Sequence, residues 1–131
     1  MRVTDWPEKL HAFIAARREV PFKWGENDCC LFAADTVQVL TGVDHARDFR
    51  GTYATENEAA TVLAEKGCIR TIATAALGAE IDPKLAQRGD VVLLKEPQGL
   101  GICLGRTFAG SGTTGLRFFT LDDILTAWRV D

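Results

Sequence analysis

Cys29 is the residue of this chain that is best placed for nucleophilic chemistry. Asn27 and Asp28 are natural N-caps, so Cys29 falls in the first turn of a predicted helix that ends at Gly42. Unpaired backbone N–H groups and the positive end of the helix dipole favour a thiolate at such a position. The carboxylate of Asp28 opposes this by raising the pKa of the thiol, unless it turns away to cap the helix. Cys29 is therefore a candidate nucleophile, and Asp28 is either its helix cap or a neighbour within the site.

Two histidines are available as the general base that a cysteine nucleophile needs. His11 lies beside the apolar stripe of the first predicted helix, and His45 lies in a long loop without periodicity. Each would have to be carried to Cys29 by the fold, and a solvent-exposed position is the simpler interpretation of both.

Three aromatic residues, Trp24, Phe49 and Tyr53, either line a cleft near Cys29 or fill the core. Cys30 is interpreted as a small apolar residue that faces the core, because a disulfide between adjacent cysteines is strained. A redox role for the Cys29–Cys30 pair is the alternative. Cys103, in a predicted strand, is expected to fill the core, and an approach to the central helix is the alternative.

Composition excludes several classes of function. The net charge of −3 argues against a nucleic-acid partner, since phosphate contacts need clustered basic residues. Four cysteines without a Cys-x-x-Cys pair predict no metal site, no disulfide framework and no cofactor. No apolar run is long enough for a membrane span, and the N-terminus lacks a signal-peptide core. We therefore expect synthesis in the cytoplasm and no membrane partner.

The order of the predicted elements indicates an α+β fold in a single domain, residues 1–131, with N-terminal helices packed on one side of a C-terminal antiparallel sheet. Asp5 is expected to cap the first helix, and the Ala-rich helices from Thr55 to Gly78 are expected to carry no chemistry. The predicted strands are residues 90–95, 100–104, 107–110, 116–120 and 127–130, with a turn over 111–115.

Three segments resemble the NlpC-type, papain-like superfamily of cell-wall cysteine peptidases, which cleave peptide bonds in peptidoglycan. Phe22-Lys-Trp-Gly25 followed by Asp28-Cys29 resembles the block that carries the nucleophile in that superfamily. Arg88-Gly-Asp-Val-Val-Leu93 and Gly99-Leu-Gly-Ile-Cys-Leu-Gly105 resemble two of its strands. The resemblance implies a papain-like fold with Cys29 as the nucleophile.

A resemblance along nearly the whole chain links it to a family encoded in the tail gene clusters of bacteriophages and prophages. It is carried by the block around Asp28-Cys29, by Phe49-Arg-Gly-Thr-Tyr53 and by the final Ala-Trp-Arg-Val. This likeness implies phage tail proteins or peptidoglycan as partners and association with the virion.

The chain departs from the peptidase pattern at two positions. Gly99 stands where the resemblance expects the catalytic histidine, and Phe108-Ala-Gly110 stands near the place of the polar residue that orients it. One hypothesis is therefore a catalytically degenerate domain with a structural or binding role at a phage tail. The alternative is an active peptidoglycan peptidase or amidase, in which His11 or His45 reaches Cys29 from a new direction.

Overall fold

The computed structural model describes all 131 residues and contains four α-helices and one six-stranded antiparallel sheet. The α+β class is confirmed. The helices are α1 (Trp6–Arg17), α2 (Cys29–Thr41), α3 (Glu56–Lys66) and α4 (Ile69–Leu77). The strands are β1 (Glu80–Ile81), β2 (Val91–Leu94), β3 (Gly99–Cys103), β4 (Phe108–Gly112), β5 (Gly115–Phe119) and β6 (Ile124–Trp128), and short 3₁₀ helices span Pro83–Leu85 and Leu121–Asp123.

Capping residues set the ends of the helices. The side chain of Asp28 accepts a hydrogen bond from the backbone N–H of Leu31 at the start of α2, and Gly42 ends that helix with a positive φ of 81°. Thr55 caps α3 in the same way as Asp28 caps α2. Asp5 occupies the N-cap position of α1 but makes no side-chain hydrogen bond, so the predicted acidic cap is wrong.

The strands lie in the order β1-β6-β2-β3-β4-β5. The turn predicted over residues 111–115 is present but shorter, because Ser111 pairs with Leu116 and Gly112 with Gly115, which leaves only Thr113 and Thr114 in it. The last strand begins at Ile124 rather than Ala127, since Ile124 pairs with Leu94. β1 was not predicted, because two residues carry no recognisable alternation.

The two faces of the sheet contribute to separate hydrophobic cores. The larger core joins α1, α2 and α4 to one face through Phe32, Val37, Leu93 and Ile102. The smaller core contains strand residues such as Val92 and no helical residue. Cys103 is fully buried in this smaller core, which confirms that it fills the core, and it does not approach the central helix. None of the four helices has the length and hydropathy of a membrane span.

A buried ion pair joins the two ends of the chain to the start of β2. Asp90 is 1% exposed and accepts hydrogen bonds from Arg2 (3.0 Å) and from the backbone N–H groups of Gln87 (2.9 Å) and Val130 (3.0 Å). The Arg2 guanidinium also donates to the carbonyl oxygens of Arg88 and Val130, each at 2.8 Å. These contacts hold the start of β2 and the segment after β6 against the start of the chain.

Candidate functional site

Asp28 acts as the helix cap and also organises the surrounding loop. Its side chain is buried and accepts hydrogen bonds from Leu31 N (2.9 Å), Gly25 N (3.0 Å) and the hydroxyl of Tyr53 (2.6 Å). Gly25 has a φ of 79°, and a Cβ there would collide with the Tyr53 carbonyl oxygen, so only glycine suits this close approach. Burial and the hydrogen bond to Asp28 raise the pKa of Tyr53 far above its usual value.

Asn27, the other predicted cap, holds the preceding loop instead. Its amide donates to the Pro21 carbonyl oxygen at 3.0 Å and accepts from Arg17 at 3.0 Å. Ser111 in β4 donates to the Asn27 carbonyl oxygen at 2.6 Å. The start of α2 is thereby tied to both α1 and the sheet.

The sulfur atoms of Cys29 and Cys30 lie 3.9 Å apart, and the two thiols differ in acidity. A hydrogen bond from the Cys30 thiol is the main cause that lowers the pKa of Cys29 below its ordinary value of 9.0. Backbone N–H groups of Leu100 and Cys30 lower it further, whereas burial and Asp28 raise it. The pKa of Cys30 is raised well above 9.0 because its proton is held by Cys29 and its side chain is buried. Of the two thiols, Cys29 is therefore the more acidic.

We expect Cys30→Ala to raise the pKa of Cys29, because it removes the thiol that donates to the Cys29 sulfur. A rise of one pH unit in that pKa lowers the thiolate fraction about tenfold at pH values well below it. The rate of Cys29 alkylation by iodoacetamide, followed by peptide mass spectrometry across pH 5–10, gives this pKa as the pH at which the rate is half-maximal. Cys30→Ser keeps a donor and serves as the matched control. Identical profiles for the Ala and Ser variants would contradict the assigned hydrogen bond.

Gly99, at the start of β3, lies directly against Cys29. A Cβ at position 99 would stand 3.1 Å from the Cys29 sulfur and 3.3 Å from its Cβ. A side chain at position 99 would therefore meet the thiol, and glycine provides none.

Cys29 lies in the wall of a cleft of about 320 Å³. The cleft is lined by 25 residues, and 21 of them are hydrophobic. Trp24, Phe49 and Tyr53 all line it, and their binding role stays a prediction. The opposite wall comes from α3 and α4, through residues such as Leu63 and Ile72, a contribution that was not predicted from the sequence. The apolar stripe Ile69, Ile72, Ala73, Ala76 and Leu77 was the sequence signal for this wall.

Only one of the two candidate bases, His45, lines the cleft that contains Cys29. His11 lies on the exposed face of α1 and does not line the cleft, because the apolar stripe of α1 turns that face toward solvent. The structure thus places His11 outside the cleft that Cys29 lines, and its role as a base stays a prediction. His45 is exposed and lines the cleft, but the side-chain hydrogen bond of the Cys29 sulfur is to Cys30, not to an imidazole.

No group of three or more His, Cys, Asp and Glu side chains is arranged to hold a metal ion. The site therefore consists of a thiol pair, a buried carboxylate–tyrosine pair and an apolar cleft.

The fold and the site define an α+β protein with a cysteine at the start of a helix, facing an apolar cleft. The chain belongs to the DUF6950 family, a domain of unknown function whose family model matches residues 1–130. No curated protein matches the chain.

Proposed function

We propose that this protein is a catalytically degenerate NlpC-type, papain-like domain that serves as a structural or binding component of a bacteriophage or prophage tail. One observation carries the proposal: Gly99, where the resemblance expects the catalytic histidine, lies against the Cys29 sulfur. Without a general base, peptide-bond cleavage loses about 10²–10⁴ in rate. The tail setting is supported by the resemblance along the chain, and the binding role by the cleft beside Cys29.

The second candidate is an active peptidase or amidase that acts on peptidoglycan, with Cys29 as nucleophile and His45 as base. It is favoured by the position of His45 on the cleft and by the lowered pKa of Cys29. Against it, His45 is exposed and makes no hydrogen bond with the sulfur, so proton transfer to a leaving amine has no positioned donor.

Digestion of purified bacterial sacculi separates the two candidates. We expect no release of soluble peptidoglycan fragments above the level given by Cys29→Ala, with an active peptidase of this superfamily as the positive control. Digestion that disappears in both Cys29→Ala and His45→Ala would establish the second candidate and reject the first.

Association with a tail is tested separately. We expect mass spectrometry of purified phage or induced prophage particles, and of their tail assembly intermediates, to detect this chain. Its absence from both preparations, despite expression in the same cells, would reject the tail role.

A further inference from the structure

The cleft has few free hydrogen-bonding groups that could pair with a polar ligand. Its inner surface is formed by buried apolar side chains such as Ala33, Val37 and Val91. His45, Glu56 and Gln98 are exposed residues at its mouth, and the carboxylate of Asp28 is already occupied by three donors. A sugar or peptide backbone buried here would leave its polar groups unpaired, whereas a hydrocarbon chain would not. The volume lies at the lower end of the range of ~300–1,000 Å³ for small-molecule pockets.

The thiol in the wall of this cleft is prepared as a nucleophile but has no partner to protonate a leaving group. Cys30 and the backbone N–H of Leu100 stabilise the Cys29 thiolate. An amide requires proton donation to the departing amine. A thioester does not, because a thiolate with a pKa near 8.5 leaves without protonation. Acyl thioesters are therefore the acyl donors that suit this site.

We propose that the cleft binds the hydrocarbon chain of an acyl thioester and that Cys29 accepts the acyl group. The Cys29 thiolate attacks the carbonyl carbon, a C–S bond forms to Cys29, and the C–S bond to the donor thiol breaks. The donor leaves as a thiolate with the bonding electron pair and takes a proton from solvent. No oxidant or reductant is consumed. The inference rests on the proposed function in one respect, because both assume that no general acid or base acts at Cys29.

The test compares the decanoyl and acetyl thioesters of N-acetylcysteamine, each incubated with the full chain, and measures adducts by peptide mass spectrometry. We expect decanoylation of Cys29 to be at least about tenfold faster than acetylation. The reason is that burial of only two methylene groups strengthens binding by about that factor. Neutral hydroxylamine should remove the adduct. Cys68, which is exposed at the start of α4, is an internal control and should show no preference for the longer chain.

Matched variants test the role of the cleft. Ala76 lines it and Ala75, its exposed neighbour on α4, does not. We expect Ala76→Phe to slow decanoylation of Cys29 at least about tenfold by the same reasoning, and Ala75→Phe to leave it unchanged, with circular dichroism confirming that both variants fold.

Equal rates for the two thioesters at Cys29, or no adduct at Cys29 while iodoacetamide still alkylates it, would overturn the inference. Neither result involves peptidoglycan, so failure here is distinct from failure of the proposed function, which sacculus digestion reports.

Discussion

Asp90→Ala is expected to destabilise the protein by about 3–5 kcal/mol, the usual cost of removing one partner of a buried ion pair. The substitution leaves Arg2 without its carboxylate and leaves the N–H groups of Gln87 and Val130 without their acceptor. A domain of this size is typically stable by only about 5–15 kcal/mol, so the loss is a large fraction of the total. Urea unfolding followed by circular dichroism measures the free energy of unfolding.

Asp122→Ala is the control for this prediction, because Asp122 is exposed in the short helix before β6. Exposed substitutions of this kind change stability by about 0.5 kcal/mol or less. If Asp90→Ala and Asp122→Ala differed by under about 1 kcal/mol, the buried pair at the chain ends would not be a major source of stability.

Asp28→Ala is expected to cost about 3 kcal/mol, because it combines the loss of a helix cap with two further donors left unpaired. Those donors are the Gly25 N–H and the Tyr53 hydroxyl. The same substitution should lower the pKa of Cys29, since the charge of Asp28 raises it. Stability and thiol acidity should therefore change together, with a less stable protein whose Cys29 is alkylated faster at neutral pH.

Tyr53→Phe isolates one of these three hydrogen bonds and keeps the cap. We expect it to cost about 1 kcal/mol. The two variants are compared by urea unfolding, and the midpoint of Cys29 alkylation is followed against pH in each. A cost for Asp28→Ala no greater than that for Tyr53→Phe, or an unchanged midpoint, would show that Asp28 does not organise the site.

Local signals predicted the helices well and the sheet less well. α2 and α3 begin after side-chain caps, Asp28 and Thr55, and each of α2, α3 and α4 ends at a glycine, so most of their bounds could be predicted from sequence. The glycines of β4 and β5 resemble a loop in sequence, but the two segments form strands because they pair with each other in a tight hairpin and β4 also pairs with β3. Strand pairing depends on tertiary context, which composition does not reveal.

The sequence predicted the place of Cys29 at the start of α2, its cap Asp28 and the three aromatic residues that line the cleft, but not the helical wall opposite them. Cys29 and Asp28 follow from one capping pattern, whereas the hydrogen bond from Cys30 depends on side-chain orientation that sequence does not specify. The contact between Gly99 and Cys29 joins residues 70 positions apart, and sequence suggested it only through the resemblance. The cleft wall formed by α3 and α4 was missed because its small alanines are also common on exposed helices.

The two walls of the cleft differ in how firmly they are anchored. α2 buries six of its side chains, whereas α3 buries none and α4 buries only Ala73. Outward displacement of α3 therefore exposes little buried apolar surface, whereas α4 is held to the core through Ala73 and to β6 through the hydrogen bond from Trp128 to Thr74. We therefore expect any change in the width of the cleft to come from α3, while α2, with six buried side chains, keeps the Cys29 sulfur in place.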